Sequence, residues 1–271
     1  MNFNSLELTL PNLDTLSLND FDFEYIRENK EVYIDKTEII YKLVNIHEPL
    51  FFCRPKVFGK SLLIRTIKSL FEHGLEYFDG LKISKRWDDD TYPVLHIQFG
   101  LIFTLDFKSF IDSLHYELYQ FINNNSDNLG LELGAFKIKD PIKLFAIMME
   151  QLNKKIVVLV DDYDLNLVRV QDKPKFHYKV CLILKKFHKL IITYKDKLRF
   201  TLVTGSSWYH YCGITLGLEN LKDVSFNKEF ATLLGFTKEE IDVNLAPFIE
   251  NVAKAQNTTS DAIKEGIKNI I

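Results

Sequence analysis

Cysteine is scarce in this 271-residue chain. Cys53, Cys181 and Cys212 are odd in number, scattered, and without a C-x-x-C spacing. That argues against a disulfide framework or a zinc site and makes a reducing compartment the default. Long apolar runs are missing too; none approaches the roughly 20 residues needed to span a bilayer. The N-terminus, Met1-Asn-Phe-Asn-Ser-Leu-Glu-Leu, lacks the basic-then-apolar order of a secretory signal. A cytoplasmic protein without a membrane partner is the expectation. Nor is there an excess of one charge: the net charge of −3 gives no whole-chain nucleic-acid footprint. The seven histidines are dispersed, with none at metal-ligand spacing from a cysteine or carboxylate. Internal repeats and low-complexity segments are absent.

What remains is ordinary for a soluble globular chain: 46% hydrophobic and 26% charged residues. Twenty-two Phe and twelve Tyr suit a large core. The length fits one α/β domain with a small appendage.

Residues 1–30 read as an irregular N-terminal segment, 31–235 as an α/β domain and 236–271 as a partial helical lid. Pro49 to Cys53 predicts a buried strand, and Tyr92 to Phe99 a second. Ile156 to Val160 predicts a third, continuously apolar as in a parallel sheet covered on both faces. Arg199 to Thr204 predicts a fourth. Between them, apolar spacing predicts helices over about 61–71, 108–122, 141–153 and 175–194. The polar run Asn123 to Asn128 reads as a loop by composition. Strands alternating with helices imply a parallel sheet with helices on both faces. In the tail, Thr237-Lys-Glu-Glu240 has a capping-box pattern, and Ser260-Asp261 could cap a last helix.

The most informative stretch joins the first strand to its helix: Arg54-Pro-Lys-Val-Phe58-Gly59-Lys60-Ser61-Leu62. Backbone N–H groups at a helix N-terminus face an anion, a lysine reaches the outer phosphates, and a hydroxyl ligates Mg²⁺. Lys60 on phosphate oxygens and Ser61 on Mg²⁺ are the expected roles, an exposed lysine opening an ordinary helix the alternative. The phosphate-loop pattern G-x-x-x-x-G-K-[ST] fails at its first glycine, which falls on Arg54. That arginine is either a cation beside the phosphates or a solvent-facing side chain.

Asp161 and Asp162 follow the third strand. Ligands of open α/β sheets bind outside the carboxyl ends of strands. Asp161 would hold Mg²⁺, directly or through water, and Asp162 would orient or deprotonate an attacking water. Thr204 and Ser206 end the fourth strand; such a hydroxyl could sense a γ-phosphate, or simply satisfy a turn. Lys60 and Asp161 are expected to meet across a triphosphate–magnesium unit at one rim of the sheet.

These motifs resemble those of the predicted AAA-ATPase-like family, a bacterial group among P-loop ATPases. Arg54-Pro-Lys-Val-Phe-Gly-Lys-Ser-Leu-Leu is similar to its R-P-[RK]-R-F-G-K-S-L-L loop. Tyr33-Ile-Asp-Lys-Thr37, Val158-Leu-Val-Asp-Asp-Tyr-Asp164, Thr204-Gly-x-Ser207, and the run from Gly217 to Thr237 complete the likeness, over about residues 20–242. The resemblance implies a P-loop NTPase-like sheet of the additional-strand type, order 5-1-4-3-2, with a C-terminal helical lid, here truncated. It further implies ATP and Mg²⁺ as cofactors, with Arg54, Phe58, Gly59, Lys60, Ser61 and Leu62 on the nucleotide. Family members often continue into a nuclease-like region, for which this chain has no room. Val57 replaces an arginine, Asp162 a glutamate, and Leu165 and Trp208 lysines. Such changes fit a slow ATPase or ATP-driven switch, a nucleotide-binding module without turnover, or a truncated copy of a longer protein. Nine basic residues lie between Lys173 and Arg199, but a solvated helix face accounts for them and nucleic acid is not the expected partner.

Overall fold

The computed structural model describes residues 22–132, 134, 138–206 and 216–268. The described parts of Met1–Asp35 and Gly235–Ile271 form one compact unit and Lys36–Leu234 the other. In chain order the larger unit contains α2 (Thr37–Val44), β1 (Leu50–Cys53), α3 (Lys60–His73), β2 (Val94–Gln98), α4 (Phe107–Leu129) and α5 (Pro141–Gln151). It continues with β3 (Ile156–Asp161), α6 (Leu165–Arg169), α7 (Pro174–Thr193), β4 (Leu198–Gly205) and β5 (Lys222–Asp223). The smaller unit holds α1 (Phe23–Glu28), α8 (Lys238–Asn244), α9 (Ala246–Ala255) and α10 (Ser260–Lys268). Among the described residues no helix is long and apolar enough to cross a membrane.

The five strands form one sheet in the order β2-β3-β4-β1-β5, and every pairing is parallel. Read from the β5 edge this is the expected order. The difference lies in β5 itself, two residues long and too short to leave a pattern in the sequence. Side chains alternate across the sheet because successive Cβ atoms point to opposite faces. Phe51, Leu95, Ile97, Val158, Val160 and Val203 therefore join the apolar faces of α4, α5 and α7 in one core cluster. On the other face Phe200 stacks on Phe71 of α3, with ring centroids 5.7 Å apart. All six residues of β3 are buried: the unbroken apolar run Ile156–Val160 and, after it, Asp161.

Three expectations are corrected. The segment read as irregular up to residue 30 contains α1, whose N-cap Asp22 accepts the Glu24 N–H and which buries Phe23 and Ile26. The asparagine-rich run is not a loop; α4 passes through it to Leu129. Ile122, Ser126 and Leu129 recur at helical spacing and are buried, and the Asn125 amide donates back to the Phe121 carbonyl. Gly130, at φ 66°, stops the helix in the left-handed conformation that glycine adopts freely. In the smaller unit Thr237 and Glu240 do form a capping box. At α10, however, the Thr259 hydroxyl rather than the Ser260–Asp261 pair accepts the Ala262 N–H.

Candidate functional site at the carboxyl rim of the sheet

Because the sheet is parallel, β1, β3 and β4 deliver their last residues to the same edge. Leu50, Phe51 and Phe52 are wholly buried, so the strand is fixed up to Cys53 and the chain turns where the apolar run stops. Pro55 to Gly59 are exposed. Two residues of this loop have left-handed backbone: Gly59 at φ 91° and Val57 at φ 64°. Glycine carries that conformation without cost, whereas a β-branched residue there is strained. Val57 is fully exposed (101%), so no packing offsets the strain. Gly59 is the N-cap of α3, and its carbonyl accepts the Leu63 N–H at 3.0 Å. Ser61 and Leu62 occupy the first helical turn, half-buried. The helix N-terminus carries partial positive charge at this point.

Lys60 opens α3, yet only 5% of it is exposed. Its ammonium folds back across the loop to the Pro55 carbonyl at 3.2 Å. It also stands 3.5 Å from Oδ1 of Asp162, an ion pair too long to be a strong hydrogen bond. That buried oxygen has no hydrogen-bond partner among the described residues. Asp162 has left-handed backbone itself, φ 51°. Burial and the neighbouring Asp161 push its carboxyl above the usual aspartate range, while Lys60 and Lys56 oppose the rise.

Asp161 is 6% exposed and accepts the Thr204 hydroxyl at 2.9 Å. Lys60 was expected opposite Asp161; the ammonium's direct partner is instead Asp162, and Asp161 is held by Thr204. The Asp162 N–H approaches the same hydroxyl at 3.4 Å, and the Tyr163 N–H donates to the Thr204 carbonyl at 3.0 Å. The next carbonyl along, Gly205, accepts the Arg54 N–H at 3.2 Å. Both carboxylate oxygens of buried Asp164 accept the Ser206 N–H at 3.1 Å. A Cβ on Gly205 would fall inside contact distance of the Tyr163 ring, so the close approach of β3 and β4 here requires glycine.

Arg54 is neither turned to solvent nor aimed along the loop. Its guanidinium donates to the Cys53 and Ser225 carbonyls and lies over the Phe52 ring, 4.6 Å from its centroid. Ser225 also accepts the Cys53 N–H through its hydroxyl at 2.8 Å. Burial, and then Asp164, push the Cys53 thiol above its ordinary value. Ser225 and Asp164 are supports that the sequence reading left without a role. Their only signal was membership of the quoted runs Gly217–Thr237 and Val158–Asp164. Ser207 and Trp208 lie outside the described residues.

Elsewhere, the exposed Lys185, Lys186 and Lys189 lie on the face of α7 opposite buried Leu184, Phe187 and His188. One expectation about histidine is corrected: an α7 ring nitrogen of His177 sits 3.5 Å from Cys181 Sγ, one helical turn on. That is a pair, not a cluster. Among the described residues no three His, Cys, Asp or Glu side chains converge as a metal site would need.

A parallel sheet whose loop strand and aspartate strand are separated by an inserted strand, with a Gly-Lys-Ser turn opening a helix at the rim, defines a P-loop NTPase-like protein of the additional-strand class. The family model described as "Predicted AAA-ATPase" matches residues 20–215, and the chain belongs to that family. The run from Gly217 onward lies beyond that match. The chain is also similar to an uncharacterized protein encoded in the vnfD 5′ region of Azotobacter chroococcum mcd 1. The two are 29% identical over 231 residues, covering 83% of this chain and 43% of that protein. The chain thus matches less than half the length of this relative. No solved structure matches.

Proposed function

We propose that this chain binds ATP with Mg²⁺ at the rim formed by the Arg54–Leu62 loop and Asp161–Asp162, and hydrolyses it slowly as a conformational switch. The observation that carries the proposal is the approach of the Lys60 ammonium to Asp162 at 3.5 Å, beside an Asp161 fixed by Thr204. A buried lysine between a loop carbonyl and a carboxylate is a cation already positioned for an anion. The donors fit the cofactor as well. Mg²⁺ prefers hard oxygen ligands and is commonly held by one or two carboxylates together with substrate phosphates, not by an all-protein cage. Ser61 and Asp161 offer a hydroxyl and a carboxylate of that kind. Magnesium would neutralise developing charge on the transferred phosphoryl group.

The chain's own residues have separate tasks in this reading. Gly59 gives the backbone access to the phosphates, and Lys60 exchanges the Pro55 carbonyl for phosphate oxygen. Thr204 holds Asp161 in one orientation. Asp162, whose carboxyl is raised above its ordinary range, accepts a proton from water more readily than a free aspartate. Arg54 acts by fixing the start of the loop to Ser225. Binding without turnover is the second reading, favoured by the left-handed backbone of Asp162 and its pairing with Lys60, both of which restrain the carboxylate.

Calorimetric titration with Mg²⁺-ATP and a phosphate-release assay, run on wild type and Lys60→Ala, test both. Heat of binding and phosphate release in wild type, both lost in the variant, support the switch. Binding without release supports the second reading. Equal phosphate release from the two proteins, or no binding of millimolar ATP by wild type, defeats the nucleotide site.

A further inference from the structure

The strand order makes the two sides of the Arg54–Gly59 loop unlike. Toward β4 and β3 lie Thr204, Asp161 and Asp162, all polar. Toward β5 lies the strap that follows it, residues 224–234, which is hydrogen-bonded to the end of β1 and passes close to Gly59 at its far end. Pairing of Phe51 with Asp223 sets Ser225 level with Cys53, and the Cys53 N–H to Ser225 hydroxyl bond continues that register. At the far end a Cβ on Gly59 would lie 3.8 Å from the Leu234 side chain, ordinary contact. Within the strap Val224, Ser225, Phe230 and Leu233 are buried. Phe226 is the contrast: it follows Ser225 in the turn closed by the Asn227 N–H on the Val224 carbonyl, is 88% exposed and contributes little to packing.

We propose that Phe226 forms the nucleobase subsite of this protein, stacking on the planar base of a nucleoside triphosphate. The inference rests on the phosphate-site reading given under Proposed function. The polarity of the ligand sets its direction. Its terminal phosphates belong with Lys60 and the aspartates, on the β4–β3 side of the loop strand. The rest of the molecule then extends toward β5, the other side. From β3 to β5 is three inter-strand spacings, roughly 14 Å, so the two ends of the ligand meet different strands. An aromatic face in solvent at that end suits a base, because every base has a π-face to stack.

The test separates base from phosphate. The full chain and its Phe226→Ala and Phe226→Trp variants are titrated calorimetrically with Mg²⁺-ATP and with magnesium tripolyphosphate, which has no base. The expected result is ATP affinity lower by about 5- to 150-fold in Phe226→Ala, the range of a lost base–aromatic stack. Tripolyphosphate affinity should be unchanged, and tryptophan should restore ATP binding. Because the side chain is exposed, all three proteins should melt at the same temperature. Unchanged ATP affinity in Phe226→Ala, or an equal loss for both ligands, overturns the subsite. Wild type binding tripolyphosphate as tightly as ATP overturns it too, while leaving the phosphate site standing. Binding of neither ligand removes both proposals together.

Discussion

The two halves of the rim are built in opposite ways. On the β3–β4 side, Asp161, Asp164 and Thr204 are buried and committed to defined partners, and the geometry is held by side chains and strand pairing. On the loop side, Pro55 to Gly59 are exposed and the geometry is held by backbone conformation at Val57 and Gly59. An ion pair between Lys60 and Asp162 connects the halves. The difference teaches where each half is vulnerable. A buried polar group that loses its partner costs about 1–3 kcal/mol, so the carboxylate side tolerates little change. An exposed loop in strained backbone can be relaxed without disturbing any packing.

The comparison is broken most severely at Gly205. Gly205→Ala places a methyl group against the Tyr163 ring and 3.2 Å from Asp164 Oδ1. Overpacking of this kind costs about 1–3 kcal/mol, and at roughly 2–4 °C per kcal/mol for a chain of this size the melting temperature should fall by several degrees. An unchanged melting temperature would mean that the β3–β4 contact is looser than described. On the loop side the expected sign is reversed. Val57→Asn keeps the left-handed conformation with a residue that tolerates it, and should stabilise the chain by about 1 kcal/mol. Urea denaturation measures this; a loss of stability would show that the Val57 backbone is not strained.

The smallest effect belongs to the connecting pair. A carboxyl whose folded pKa is raised binds more protons folded than unfolded, so its contribution to stability falls as pH rises. For Asp162 that decline starts near the ordinary value of 3.8 and runs up to the raised folded value. Asp162→Asn removes the titration and keeps an amino acid at ease in left-handed backbone. It should raise the melting temperature at neutral pH, and the gain should shrink as pH is lowered toward 3.8. A gain independent of pH would assign the effect to something other than the carboxylate.

Much of this arrangement was legible because burial leaves long signatures. β1, β3 and β4 are apolar runs ended by polar residues, and the residues just past those ends were the ones that pointed to chemistry. The Lys60–Asp162 approach follows from two motifs a hundred residues apart only once parallel topology is assumed. What stayed hidden has a common cause: local composition was outvoted by tertiary packing. The asparagines of α4 are poor helix formers, but Ser126 and Leu129 have a core to join and draw the helix onward. Arg54 could not be placed because its long-range partner, the Ser225 carbonyl, is delivered by β5, two residues with no pattern of their own. Lys60 was expected opposite Asp161. The Thr204 hydroxyl, arriving from the inserted strand, takes that carboxylate and leaves Asp162 for the ammonium.

The inserted strand has a mechanical consequence. Two successive β4 carbonyls grip different halves of the rim: Thr204 takes the Tyr163 N–H, and Gly205 takes the Arg54 N–H. A pull on the chain just past Ser206 would reach the Arg54–Gly59 loop and the aspartates in the same stroke. Neither half can slide along the sheet while the other stays still, so β4 works as a shared axle.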